Sequence, residues 1–180
     1  TAIGTGAVQP LYQPLYSRLL AWAYRRADAV TAVSANTKRE ILRVLPDLEI
    51  TVINHGVDAA RFEQPLPPPS EAAQFSPYLL SVGALKPRKG FDTAIRAFAM
   101  VSREVPGLHY LIVGSGEEYD TLQALAYREG VGGRVRFVSY ERGAEYLPEA
   151  ELVGMYQNAK LFLLLPRDAK KDIEGLGLVF

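Results

Sequence analysis

Short, wholly apolar runs alternate along this chain with longer stretches in which apolar residues recur every three or four positions. Leu11, Leu15 and Leu19, flanked by Tyr12, Tyr16 and Leu20, have helical spacing and predict a helix over roughly Leu15 to Arg26. Ala29 to Val33 reads as a strand. Ser34 stands where an N-cap is wanted, ahead of a helix through about Leu45 that Pro46 terminates. Ile50 to Ile53 is a further strand, closed by Asn54-His55-Gly56. Pro65 to Glu71 then interrupts the pattern, and fixed backbone angles with missing donors argue there against both helix and central strand. Downstream, strands are expected at Tyr78–Val82, Leu108–Val113, Arg134–Val138 and Leu161–Leu165. Helices are expected at Asp92–Glu104, Glu118–Glu129 and Glu149–Asn158. Continuous apolar strands alternating with amphipathic helices predict an α/β fold, a doubly wound parallel sheet covered on both faces.

Composition narrows the class. The 180 residues are 48% hydrophobic and 22% charged, in the range of an ordinary globular protein. Twenty basic and 20 acidic side chains cancel, which argues against nucleic acid as a partner. The absence of cysteine removes disulfide and thiolate chemistry, and with only His55 and His109 no histidine-rich metal site is expected. No apolar run approaches the ~20 residues that span a bilayer. Both ends look cut in mid-element, so a segment of a longer chain is expected.

In doubly wound sheets, ligands bind beyond the carboxyl ends of the strands. Gly83 and Lys86-Pro87-Arg88-Lys89-Gly90 follow the first downstream strand; Gly114-Ser115-Gly116 follows the second, Val138-Ser139-Tyr140 the third and Pro166-Arg167-Asp168 the fourth. Three cations just before a helix start suit a diphosphate, since arginine offers a planar fork, lysine a point charge and the helix its free amides. A solvated basic turn is the competing reading. Gly114-Ser115-Gly116 opens like a dinucleotide fingerprint, but Tyr119 stands where the third glycine belongs, and a tight turn explains it as well. Asp172-Ile173-Glu174-Gly175-Leu176-Gly177 offers acceptors beside glycines that admit a ligand to the backbone, with an exposed acidic turn as the alternative. The tyrosine-rich helix with Trp22, Arg25 and Arg26 is expected to turn its apolar stripe to a core, with an interfacial membrane helix as the alternative. The two histidines are expected to be packed or capped, and Ser34 is expected to be a cap rather than a nucleophile.

Five segments in order resemble glycosyltransferase family 4: Ala27 to Ser34; Ile53 to Asp58 with Phe62; Val82 to Gly90; Ile112 to Glu117; and Glu174-Gly175-Leu176-Gly177. Arg167 to Gly177 is most similar to bacterial members that mannosylate phosphatidylinositol or related lipids. The resemblance implies the GT-B architecture of two Rossmann-like domains. Residues 1–56 would be the end of the N-terminal, acceptor-side domain, 57–76 a linker, and 77–180 an incomplete C-terminal donor-binding domain. It implies retaining, metal-independent transfer of a hexose, mannose among the candidates, from a nucleotide-diphosphate sugar to a lipid or saccharide acceptor, with no cofactor. The implied location is cytoplasmic, with peripheral contact at the inner membrane face.

Position by position, the resemblance makes Lys89 the lysine on the donor diphosphate and Arg88 a second contact. Glu174 matches the first glutamate of an E-x7-E pair, against the donor sugar. Gly175, Leu176 and Gly177 would meet sugar and phosphates, Val138 and Ser139 the nucleotide base, with Gly83 and Arg167 completing the donor set. Three positions depart from the pattern. Ala84 replaces an arginine, Ile3-Gly4 stands for a His-Gly, and the second glutamate would fall past Phe180. Two other readings share the fold: a GT-B sugar-nucleotide epimerase, and a non-catalytic nucleotide-binding module.

Overall fold

The computed structural model describes residues 7–138 and 147–167, which divide into two compact units, 7–57 and 58–167. In the first, helix α1 (Pro14–Arg26) precedes a parallel pair, β1 (Val30–Ala32) and β2 (Ile50–Val52), joined through helix α2 (Ala35–Val44). Ser34 caps α2 as expected: its Oγ accepts from the Thr37 amide at 3.1 Å. Val8, Leu11, Ala32, Ile41, Leu45 and Ile50 form the core.

The stripe of α1 is a correction. No residue of the helix is buried, and Leu15, Leu19 and Trp22 are 80%, 64% and 62% exposed. The helix packs through its opposite side, Leu20, Ala21 and Tyr24, with the Tyr24 hydroxyl donating to the Ala7 carbonyl at 3.2 Å. Leucine spacing gave the helix but pointed at the wrong face.

The second unit is built on a four-stranded, all-parallel sheet in the order β5-β4-β3-β6. Its strands are β3 (Tyr78–Val82), β4 (His109–Val113), β5 (Val135–Val138) and β6 (Leu161–Phe162). Period-two alternation assigns the faces. Leu79, Tyr110, Ile112, Val135 and Phe137 pack against α4 (Phe91–Glu104) and α5 (Tyr119–Arg128) through Phe91, Ile95, Phe98, Leu122 and Leu125. Tyr78, Leu80, Leu111, Val113 and Val138 face the other way, onto Met155 of α6 (Glu149–Asn158) and Ala72 of the single turn α3 (Ser70–Ala73). Each fully buried Leu or Ile contributes about 1.5–3 kcal/mol, so both faces supply stability and strands apolar on both sides follow. From β3 the chain steps outward to β4 and β5, then returns to place β6 on the far side of β3. The switch point of the sheet lies between β3 and β6.

Three further expectations change. The proline-rich segment does not exclude helix throughout, because α3 starts at Ser70; the Pro69 carbonyl accepts from Ala72 and Ala73, a role that needs no proline N–H. Residues 58–69 run along α6, tied by Gln157 and Asn158 to the carbonyls of Phe62, Gln64 and Leu66. Strand β6 is shorter than its apolar run. Leu163 still donates to the Leu80 carbonyl at 2.8 Å, and its own carbonyl accepts from the Ser81 hydroxyl. His109 is packed, edge-on to Phe75 at 5.4 Å, whereas His55 is exposed.

Candidate functional site at the strand ends

Every described residue expected at the donor site belongs to the second unit, and all but Val138 lie in the two loops that flank the switch point. Gly83 leaves β3 with its amide still donating to the Val113 carbonyl at 2.9 Å. One step along the rim, the Gly114 amide donates to the Val138 carbonyl at 3.0 Å. Leu85 then crosses to the β4 loop: its amide donates to the Ser115 carbonyl and its carbonyl accepts from the Glu118 amide. The crossing works only without side chains. A Cβ on Gly114 would collide with the Gly83 carbonyl, and one on Gly116 with the backbone of Leu85. Both glycines have positive φ, 153° and 159°. Sequence reasoning placed Gly114 and Gly116 at a tight turn; their partner is a neighbouring strand-end loop.

Pro87–Lys89 forms one 3-10 turn, and Gly90, at φ 69°, turns the chain into α4. A Cβ at Gly90 would collide with the Leu165 carbonyl, so this turn and the segment after β6 touch backbone to backbone. Lys89 is buried, 8% exposed, with its Cε 3.9 Å from where a Cβ on Gly83 would stand. Burying a lysine is costly unless its charge is compensated, and this one is held at the rim between the end of β3 and the start of α4. Arg88 beside it is half-buried and Lys86 is exposed. The α4 N-terminus adds first-turn amides, which have no partner within a helix, and its positive dipole end.

Arg167 reaches the same loop from the β6 side. Its amide donates to the Arg88 carbonyl at 2.7 Å, and its Nη2 donates to the Pro87 carbonyl at 3.0 Å and to Asp92 Oδ1 at 2.6 Å. Asp92 Oδ2 accepts from Arg96 Nη1 at 3.1 Å, one turn further along α4. Glu118 stands near enough to feel this cluster. Burial, then the Asp92 charge, raises its carboxyl above the usual range, Arg167 opposes the rise and Glu117 adds a little to it. Asp92 and Glu118 were not singled out from the sequence, because nothing local ties Asp92 to an arginine 75 positions away.

Val138 ends β5, buried at the same edge. Ser139, Glu174, Gly175, Leu176 and Gly177 lie outside the described residues. Two clefts, of about 530 Å³ between the proline-rich segment and α6 and about 210 Å³ beside α5 and β5, are lined by other residues. Among the described residues, no three His, Asp or Glu side chains gather to hold a metal ion, and no helix is long and apolar enough to cross a membrane.

The chain resembles known proteins along most of its length. Residues 64–180 match the family model for glycosyl transferases group 1, and residues 4–61 the model for glycosyltransferase family 4. It is 34% identical to a GDP-mannose-dependent alpha-(1-6)-phosphatidylinositol monomannoside mannosyltransferase of Mycolicibacterium smegmatis, over 86% of this chain and 41% of that protein. It is 33% identical to a glycogen synthase of Mycobacterium tuberculosis, over 88% of this chain and 35% of that one. The chain thus spans about two fifths of the length of these curated relatives. A trehalose-6-phosphate structure from E. coli with UDP-2-fluoro glucose bound superposes with a TM-score of 0.67 at 16% identity, over 93% of this chain and 45% of that one. That likeness is one of fold, the Rossmann-like α/β layering of GT-B proteins. With an all-parallel sheet, glycine-crossed strand ends and a match over residues 64–180, the chain belongs to the glycosyl transferases group 1 family.

Proposed function

We propose that the full-length protein containing this chain is a retaining glycosyltransferase that moves a hexose from a nucleotide-diphosphate donor to a lipid or saccharide acceptor. Residues 77–180 belong to the donor-binding domain, residues 1–56 to the end of the acceptor-side domain, and 57–76 link the two. The observation that carries the reading is the meeting of Gly83, Lys89 and the α4 N-terminus at the switch point of the sheet. Breaking a sugar–phosphate bond leaves negative charge on the departing diphosphate, and preorganised cations and amides at that oxygen are the largest expected catalytic contribution. Lys89 and Arg88 take the diphosphate, while Gly83 leaves its approach open. Val138 and Ser139 hold the base through their main chain. Glu174 lies against the donor sugar, with the Gly175, Leu176 and Gly177 backbone beside it.

The mannosyltransferase relative supports GDP-mannose as donor and a phosphatidylinositol mannoside as acceptor. The glycogen synthase relative supports a competing pair, a sugar nucleotide with glycogen as the growing product. Peripheral membrane contact rests on the lipid acceptor, and its placement at the cytoplasmic face on the family resemblance. Titrating the full-length protein with GDP-, UDP- and ADP-sugars, then assaying transfer and product anomer by NMR, separates the pairs. Lys89→Ala should weaken donor binding at least tenfold, given about 1.5–3 kcal/mol for a hydrogen bond to a charged group. No saturable binding of any nucleotide sugar, with Lys89→Ala indistinguishable from wild type, would sink the reading. Binding without transfer or hydrolysis would favour a non-catalytic module, and inversion within the sugar nucleotide an epimerase.

A further inference from the structure

We infer that Arg167 is a positioning residue for the cationic loop and not itself a ligand of the donor. The resemblance placed it among the donor contacts, but its geometry gives it another task. Its backbone amide and one guanidinium nitrogen cap two consecutive carbonyls of the 3-10 turn, Arg88 at 2.7 Å and Pro87 at 3.0 Å. The same nitrogen reaches Asp92 Oδ1 at 2.6 Å, in the first turn of α4. One side chain therefore ties the turn before Gly90 to the helix after it, with the segment from β6 as the anchor. Lys89 lies inside the span so bridged.

Asp92 completes the device. Held by Arg167 through one oxygen and by Arg96, one turn along the same helix, through the other, it joins the first turn of α4 to the segment after β6. Its negative charge also favours the helix N-terminus. The Arg167 guanidinium is thus already paired with a carboxylate, and its charge also reaches Glu118 on the β4 loop, as suits a structural cation better than one waiting for phosphate. Arg167 and Asp92 side chains are 50% and 25% exposed, and a pair so open adds little to global stability. Its effect is on where the loop sits.

This inference rests on the donor reading for its consequence, but the clamp itself is measurable without a donor. In the full-length protein, amide hydrogen exchange over residues 84–92 is compared for wild type, Arg167→Ala, Asp92→Ala and the double variant, with no nucleotide present. Each single variant should speed exchange there about fivefold, the ceiling for a partly exposed pair, while Tm moves by less than about 4 °C. Donor affinity is then measured by calorimetry with GDP-mannose and UDP-glucose. Each single variant should weaken it about fivefold and the double variant no further, because both break one clamp. Arg167→Lys and Asp92→Asn serve where an alanine variant fails to fold, and each should retain part of the effect. Unchanged exchange would overturn the proposal, and so would affinity losses that multiply in the double variant, which would return Arg167 to the direct donor contacts. If wild type binds neither sugar nucleotide but exchange responds as described, the donor reading fails and the clamp stands.

Discussion

At the scale of single residues, glycine carries the rim. Gly83, Gly90, Gly114 and Gly116 all have positive φ, and three of them leave no room for a Cβ. Gly114→Ala tests the crossing where it is tightest, because its methyl would enter the Gly83 carbonyl, a backbone atom with no rotamer to yield. Strain at positive φ and overpacking together should cost about 3 kcal/mol, seen as a fall in the urea midpoint with unchanged m-value. Donor affinity should fall as well, because relief requires moving Gly83. Much of this rim was legible in the sequence. Glycines directly after apolar strands announced tight strand ends, and Lys89 stood out by its neighbours. The partners were not legible, since Leu85 meets Ser115 and Glu118, and Arg167 meets Asp92, only through the crossover order of the sheet.

At the scale of elements, local signals and tertiary override divide cleanly. Ser34 behaves as its sequence says, because a cap depends on the three residues that follow it. Tyr78–Val82 and Glu149–Asn158 form within the expected limits, being bounded by a proline or a polar turn. Where strand β6 ends, the Leu163 carbonyl accepts from the hydroxyl of Ser81 on a neighbouring strand, which itself accepts from the buried Tyr110 hydroxyl at 2.7 Å. No reading of Leu161 to Leu165 alone contains that information. Helix α6 offers a test in which propensity and packing oppose each other. Gly154 sits mid-helix, where alanine is favoured by about 1 kcal/mol, yet its Cβ would strike the Pro67 carbonyl of the segment lying along α6. Packing should win: Gly154→Ala should destabilise the second unit by about 1–2 kcal/mol and loosen residues 58–69. Faster tryptic cleavage after Arg61 would report the loosening, and a raised Tm with unchanged cleavage would show that propensity prevails.

At the scale of the whole second unit, the parallel sheet separates the work of its two edges. The carboxyl edge gathers the glycines, Lys89 and the α4 N-terminus. The opposite edge is closed by groups that serve stability: Arg134 caps the end of α4 through the Ser102 carbonyl and hydroxyl, both at 2.8 Å, and His109 begins β4 against Phe75. His109 Nδ1 is buried without a hydrogen-bond partner, and a buried nitrogen left so costs about 1–3 kcal/mol. His109→Phe removes that nitrogen while keeping an aromatic ring on Phe75, so it should raise stability by about 1 kcal/mol and Tm by about 2–4 °C. Donor affinity should stay at the wild-type value, because none of the described donor residues lies at that edge. Lys89→Ala should differ from it in the binding readout, with donor affinity weakened at least tenfold. A His109→Phe protein that is more stable but binds donor less well would mean that the two edges are coupled through the strands, and that the division of labour read from the topology is wrong.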